Sequence, residues 1–237
     1  MSKLIVVTGA GRGLGLALAQ RHLELGDTVW ALEWKPSDEL SKLEEEHPGQ
    51  LFTAACDIGS TASVNQACAP LLERGETIGI LYNVAGIYLQ NARHGLADTD
   101  LDEGLAMYDI NGVGLLRVCK ALFPLLGEGT LVANVTSEAG SVTNCYRDGE
   151  YMYCLSKAAA NMASKLLSNE LYPRGGRVIC FHPGWLRTQI GGERAFASPH
   201  SVDPMDSARG IMEVTTHLEK IPPSWMFMDY QHNLLPW

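Results

Sequence analysis

Tyr153 and Lys157 stand four residues apart in a run that reads as helix, so a phenol and an ammonium would share one helical face. A phenol with a pKa of about 10 holds its proton too firmly to work well near neutrality. A lysine charge roughly 4 Å away, at an effective dielectric of about 20, would stabilise the phenolate by about 4 kcal/mol, or about 3 pKa units before lysine desolvation is subtracted. Such a pair could act as acid and base at pH 7. The same spacing also occurs on ordinary surface helices, so its meaning depends on what else the chain brings to that face.

A second pattern supplies a partner for it. Residues 3–8 (KLIVVT) form a short β-branched run that ends in Gly9-Ala10-Gly11-Arg12-Gly13-Leu14-Gly15, and a helical pattern follows at once. Glycines there let the backbone turn tightly and let a pyrophosphate approach the first N–H groups of the helix, where the dipole is positive. Gly26 stops the helix and residues 28–33 (TVWALE) read as the second strand of a βαβ unit. A tight turn without ligand is the alternative. Glu33 ends that strand where a carboxylate can accept hydrogen bonds from adenosine ribose hydroxyls and would repel a 2′-phosphate. Arg12 and Lys35 are cations that could accept that phosphate, or plain solvated charge. The balance leans to NAD over NADP, through Glu33.

The elements needed to position these groups recur along the chain. Residues 37–46 and 60–73 read as helices, and residues 50–55 and 78–83 as strands. Asp57 and Ile58 follow the third strand; Asp57 could meet an adenine amino group or cap the next helix. The fourth strand ends in Asn83-Val84-Ala85-Gly86, where small residues let a flat ring lie against the backbone and Asn83 would tie neighbouring strands together. Residues 98–126 read as one helix containing Asn111, a mediocre helix former that needs a polar reason to be there or is a satisfied core amide. The fifth strand, 130–136, delivers Ser137 and Glu138 to its carboxyl end, the edge where open parallel sheets bind ligands. A polar loop, 141–150, leads to the helix of Tyr153 and Lys157. A sixth strand (177–181) turns away at Pro183-Gly184, with Leu186 and Thr188 beyond, and a loop follows to residue 202. A helix at 204–220, a short strand at 225–228 and a tail close the chain. Alternating strands and helices predict one α/β domain over residues 1–237, a Rossmann-like doubly wound parallel sheet of about seven strands with helices on both faces.

The totals narrow the partners. With 237 residues, 46% of them hydrophobic, the chain suits one domain with a sizeable core. A net charge of −9 with scattered Lys and Arg argues against nucleic acid and anionic membrane, leaving a small molecule as the expected ligand. Six cysteines without ligand spacing argue against a metal. A strand pattern that begins by Lys3, and the lack of a spanning apolar run, lead to the expectation of a cytoplasmic protein.

Taken together, Thr8-Gly-x-x-x-Gly-x-Gly15, Asp57, Asn83-x-Ala-Gly86, Asn111, Ser137, Tyr153-x-x-x-Lys157 and Pro183-Gly184 with Thr188 resemble the short-chain dehydrogenase/reductase family over nearly the whole chain. The endings HPGWLRT and DYQHNLLPW look more narrowly like its C-factor and sniffer-type carbonyl reductase branch. The resemblance implies strand order 3-2-1-4-5-6-7 and an NAD- or NADP-dependent interconversion of a secondary alcohol and a carbonyl. Tyr153 would be the acid and base, Lys157 would hold the nicotinamide ribose and lower the Tyr153 pKa, Ser137 would hydrogen-bond the reacting oxygen, and Asn111 would hold a relay water. Gly9, Gly13 and Gly15, with Arg12 and Leu14 in the same turn, would receive the pyrophosphate, Asp57 and Ile58 the adenine, and Leu186 and Thr188 the carboxamide. Helices near 105–126 and 152–171 would pair in a homodimer or homotetramer.

Three departures bear on function. Val84 replaces the family's second asparagine, and the segment from Ser137 to Tyr153 is longer than common. Glu138 would favour a cationic or hydroxyl-rich substrate if it faces the pocket. Ile87, Tyr88, Cys145, Tyr146 and Trp185 are further pocket candidates, and the loops 87–97, 138–150 and 185–202 would set the substrate. The rival expectation is a dinucleotide-binding regulatory or signalling protein with vestigial catalysis.

Overall fold

The computed structural model of the chain describes residues 2–89, 94–224 and 226–237. Its centre is β1 (Leu4–Thr8), whose five residues are all buried, as a strand covered on both faces must be. Alternation sends Ile5 and Val7 to one face and Leu4 and Val6 to the other, and each pair enters a different core. Ile5 and Val7 meet Leu14 and Leu18 of α1 (Gly13–Glu24) and Ile211 of α8 (Pro204–Thr215). Leu4 and Val6 meet Val64 and Leu71 of α3 (Thr61–Arg74), Val118 and Leu122 of α5 (Gly114–Leu122) and Leu167 of α6 (Tyr151–Leu171).

The remaining strands are β2 (Thr28–Glu33), β3 (Leu51–Ala55), β4 (Ile80–Asn83), β5 (Leu131–Val135), β6 (Arg177–His182) and β7 (Phe227–Asp229). They form one sheet in the order β3-β2-β1-β4-β5-β6-β7, every neighbouring pair parallel. Chain direction across the sheet reverses between β1 and β4, which opens a crevice at their carboxyl ends. Helices α2 (Asp38–Glu46), α4 (Leu101–Met107) and α7 (Glu193–Ala197) complete the set of α-helices among the described residues.

Three expected elements come out differently. The single helix at 98–126 is broken into α4, a wide π-type turn over Tyr108–Val113 and α5, followed by a 3-10 turn at Phe123–Leu125. A π turn holds one residue more than an α turn, and periodicity read over a long window averages it away. The helix expected to reach residue 220 ends at Thr215, with a separate 3-10 turn at Leu218–Lys220. The last strand, expected at 225–228, is β7 at Phe227–Asp229, and residue 225 lies outside the described residues.

A buried polar chain ties the α1/α8 layer to the sheet. His22 contacts Asp27 Oδ2 at 2.8 Å and the Tyr82 hydroxyl at 3.0 Å, and that hydroxyl lies 2.6 Å from Thr215 Oγ1. Burial lowers the His22 pKa against the pull of Asp27, so the ring is held neutral. Tyr82→Phe leaves two buried partners unsatisfied and is expected to cost about 1–3 kcal/mol in a urea denaturation series.

Candidate active site

The crevice at the reversal point is a cavity of about 1460 Å³ that draws its walls from the carboxyl ends of several strands and the loops after them. Its floor is the glycine turn. Gly9 takes φ +67° and Gly13 φ +54°, conformations that side chains rarely adopt. A Cβ on Gly9 would meet the Ala85 backbone at 2.9 Å, and one on Gly13 would meet Thr188 Cγ2 at 2.9 Å. At Gly15 a Cβ would lie 2.1 Å from the Gly9 carbonyl oxygen, so this glycine seats the first turn of α1 on the loop rather than forming wall. Helix α1 begins with no side-chain cap and no acidic residue in its first turn. Uncapped helix amides above a floor without side chains fit a pyrophosphate.

Arg12, Leu14, Ile58, Ala85, Gly86, Pro183, Gly184, Leu186 and Thr188 all line the cavity. Arg12 also hydrogen-bonds Gln189 and so ties the glycine turn to the 185–202 loop. Glu33 lines the far end together with Glu39 and Trp34. One Glu33 oxygen accepts the Gly11 N–H at 2.6 Å and the other the Trp34 N–H at 3.0 Å. Lys35 sits 4.0 Å over the Trp34 ring and is not part of the wall. Asp57 lines the cavity and accepts the Gly59 N–H at 2.8 Å in the turn before α3, whose cap is Ser60 rather than Asp57.

Asn83 and Asn111 stand behind the wall. Asn83 donates to Asn134 Oδ1 at 2.8 Å, and Asn134 donates to Ser164 at 2.7 Å, joining β4, β5 and α6. That is the strand tie expected of Asn83, and it corrects its assignment to the cofactor surface. Asn111 lies in the π-type turn, accepting from Ile87 N at 2.8 Å and donating to Ile87 O at 2.9 Å and Ser156 Oγ at 3.0 Å. Its polar reason is the chain just past Gly86, which it holds against α6.

Tyr153 and Lys157 arrive on α6. Gly140 lets the short turn after β5 pack on that helix: a Cβ there would come within 2.5 Å of the Lys157 carbonyl carbon. This contact sets Ser137 beside Tyr153. Lys157 donates to the Val135 carbonyl at 3.2 Å, and its nitrogen stands 5.9 Å from the centre of the Tyr153 ring. Burial pushes the Tyr153 phenol up to about 12, with the Glu138 carboxylate adding to the shift. Burial pushes the Lys157 ammonium down to about 8. Desolvation, left out of the separation-based figure for this pair, raises the phenol and lowers the ammonium.

The other wall is charged, and little of it was foreseen. Glu138 faces the cavity, accepts from Ser137 Oγ at 2.6 Å, and pairs with Arg147. Arg147 also pairs with Glu150, whose second oxygen accepts from the Tyr88 hydroxyl. Glu150 takes φ +61° at the start of α6, a left-handed conformation uncommon for any residue but glycine. His182 Nδ1 approaches Glu138 Oε2 at 3.1 Å without the alignment of a hydrogen bond, and burial lowers its pKa. Because Arg147 offsets the Glu138 charge, the expected pull of that residue on a cationic substrate is weakened. Tyr88 packs edge-on to Tyr153 at 4.9 Å. Ile87, Tyr88 and Trp185 line the cavity, whereas Cys145 and Tyr146 do not. Part of the 87–97 loop, residues 90–93, lies outside the described residues. Among the described residues no cluster of His, Cys, Asp and Glu could hold a metal, and no helix is long and apolar enough to cross a membrane.

Comparison with known proteins places this arrangement. The short chain dehydrogenase family model matches residues 3–197. C-signal of Myxococcus xanthus is 37% identical over 162 residues, which cover 68% of this chain and 93% of that protein. Among solved structures, the NADPH-bound carbonyl reductase from chicken fatty liver superposes with a TM-score of 0.89 at 28% identity, covering 100% of this chain and 99% of its own. The carbonyl reductase Sniffer of D. melanogaster gives 0.88 at 27% identity, with full coverage of both chains.

Proposed function

The chain belongs to the short-chain dehydrogenase family and is an NAD(P)-dependent oxidoreductase, and on that premise we propose that it interconverts a secondary alcohol and a carbonyl with Tyr153 as acid and base. The observation that carries this reading is the meeting of Ser137, Tyr153 and Lys157 at one end of a cavity whose other end is the glycine turn. Bound there, a nicotinamide dinucleotide supplies the hydride given to or taken from the carbinol carbon.

Gly9 and Gly13 leave room for the pyrophosphate, and the open N–H groups of α1 bind it. Leu186 and Thr188 hold the carboxamide end and Lys157 the ribose next to it. Tyr153, a neutral phenol with its proton in hand, protonates the carbonyl oxygen in reduction and takes the proton back in oxidation. Ser137 contacts the same oxygen. Asn111 holds a water between Lys157 and solvent, through the Oδ1 lone pair left beside its bond from the Ile87 N–H.

The adenosine end favours NAD. Two carboxylates, Glu33 and Glu39, face the cavity there, against Arg12, which is engaged with Gln189, and Lys35, which sits on Trp34. A 2′-phosphate would stand against the Glu33 and Glu39 carboxylates, which line the cavity, whereas Lys35 does not. Titrating the protein with NADH and with NADPH, following fluorescence of the cavity tryptophans Trp34 and Trp185, tests this. NADH is expected to bind at least about tenfold tighter, a gap of about 1.4 kcal/mol. Glu33→Gln is expected to close most of that gap by improving NADPH, while Arg12→Ala weakens NADPH further. Preference for NADPH in the parent protein would reverse the assignment.

The likeness to C-signal favours a second reading, a dinucleotide-binding signalling protein. Its biological activity would survive Tyr153→Phe. Exposed Leu116 on α5 and Leu155, Met162 and Leu166 on α6 support a homodimer or homotetramer built on those helices.

A further inference from the structure

We propose that Glu138 is a positioning residue that accepts the Ser137 O–H hydrogen bond, so that Ser137 meets the reacting oxygen as a hydrogen-bond acceptor and the site holds the alcohol in preference to the carbonyl compound. The inference rests on the oxidoreductase reading and adds to it the polarity of one hydrogen bond.

A serine hydroxyl has one proton and two lone pairs. One Ser137 lone pair accepts the Ala139 N–H at 3.1 Å, a bond fixed by the short turn that Ser137 caps. Its proton faces Glu138 Oε2 at 2.6 Å, a length typical of a hydroxyl bonded to a carboxylate. The carboxylate can only accept. Burial alone would raise the Glu138 pKa, but His182, Ser137 and Arg147 together bring it below its ordinary value. One Ser137 lone pair is left for the cavity side, where the Tyr153 hydroxyl is within hydrogen-bond reach of it before a ligand enters.

Glu138 is itself fixed from several directions. Arg147, on the 141–150 loop, pairs with it and is held from behind by Glu150 at the start of α6. Tyr88 secures Glu150 from the chain beyond β4, and His182 closes in from the end of β6. The carboxylate therefore cannot swing away to free the serine proton without breaking the pair with Arg147.

A carbonyl oxygen brings no proton, so against Ser137 it meets lone pair with lone pair, and Tyr153 is its one donor. An alcohol donates its O–H to Ser137 while accepting from Tyr153, and is held by one more hydrogen bond.

The test reads the proton first and its effect second. Neutron diffraction from deuterium-exchanged crystals of the cofactor-free protein is expected to show the Ser137 deuteron on the line to Glu138 Oε2. A deuteron directed at Tyr153 would overturn the proposal. This measurement needs neither cofactor nor turnover, so it stands even if the oxidoreductase reading fails. In carbonyl reduction, Ser137→Ala is expected to cost less than about tenfold in kcat/KM with Glu138 in place. In a Glu138→Ala background, which leaves no side-chain acceptor for the serine proton, the same change is expected to cost about 100-fold or more, as the loss of an oxyanion donor does. Glu138→Asp keeps the carboxylate and should keep the small cost, and Glu138→Leu substitutes for Ala if that variant does not fold. An equally large loss in every background would show Ser137 to be a donor throughout.

Discussion

Tyr153→Phe is expected to lose about 10²–10⁴-fold in kcat while binding NADH as tightly as the parent. The phenyl ring keeps the edge-on contact with Tyr88, so the variant removes one oxygen and little packing. What disappears is the proton source. Burial holds Tyr153 as a phenol, with its pKa pushed up to about 12. A carbonyl oxygen gaining negative charge would then have no acid within reach except water. Steady-state kinetics in both directions, with cofactor affinity measured separately, checks this. A fall in affinity that matched the fall in rate would point to a collapsed cavity instead.

The second large effect separates activity from stability. Lys157→Met is expected to abolish most turnover yet make the folded protein more stable at pH 7. Burial brings the Lys157 pKa from an ordinary 10.5 down to about 8, so keeping the ammonium charged inside costs about 3 kcal/mol at neutral pH. Above pH 8 the folded protein sheds this proton while the unfolded chain keeps it until about pH 10.5. Stability of the parent should therefore climb through that window, and the advantage of the Met variant should shrink over the same range. Met has a similar volume and no charge to bury, though it loses the bond to the Val135 carbonyl. Thermal unfolding of both proteins at pH 7 and pH 10 gives the comparison. A Met variant less stable at pH 7 would mean that the ammonium is solvated or paired in the folded state.

Much of this site could be read from the chain because its parts are local. The glycine turn needs only consecutive residues, and the Tyr153/Lys157 face needs only helical spacing. Strand alternation and the apolar run of β1 led directly to a parallel sheet, since a strand hydrophobic at every position must be covered twice. Asn83 was also foreseen as a strand tie, because an amide at the end of a buried strand has few other partners.

What escaped is tertiary. Nothing near Arg147 announces that it will join Glu138 and Glu150, which come from opposite ends of the same loop and meet only after Gly140 packs on α6. The π-type turn at Asn111 is one extra residue in a long helical pattern, and it is stabilised by Ile87 and Ser156 from distant segments. The burial that shifts Tyr153 is tertiary too. Spacing along a helix reports the separation of two side chains, whereas burial depends on everything that folds over them.

Isotope transfer tests the central claim most directly. The protein would be mixed with NADH carrying deuterium at the nicotinamide C4 and with a panel of ketones and aldehydes, and the products read by mass spectrometry. An alcohol one mass unit heavier, with deuterium on its carbinol carbon and none formed by Tyr153→Phe, is the predicted result. If the protein binds the cofactor and no member of the panel acquires deuterium, the cavity is a dinucleotide receptor and the oxidoreductase account is wrong.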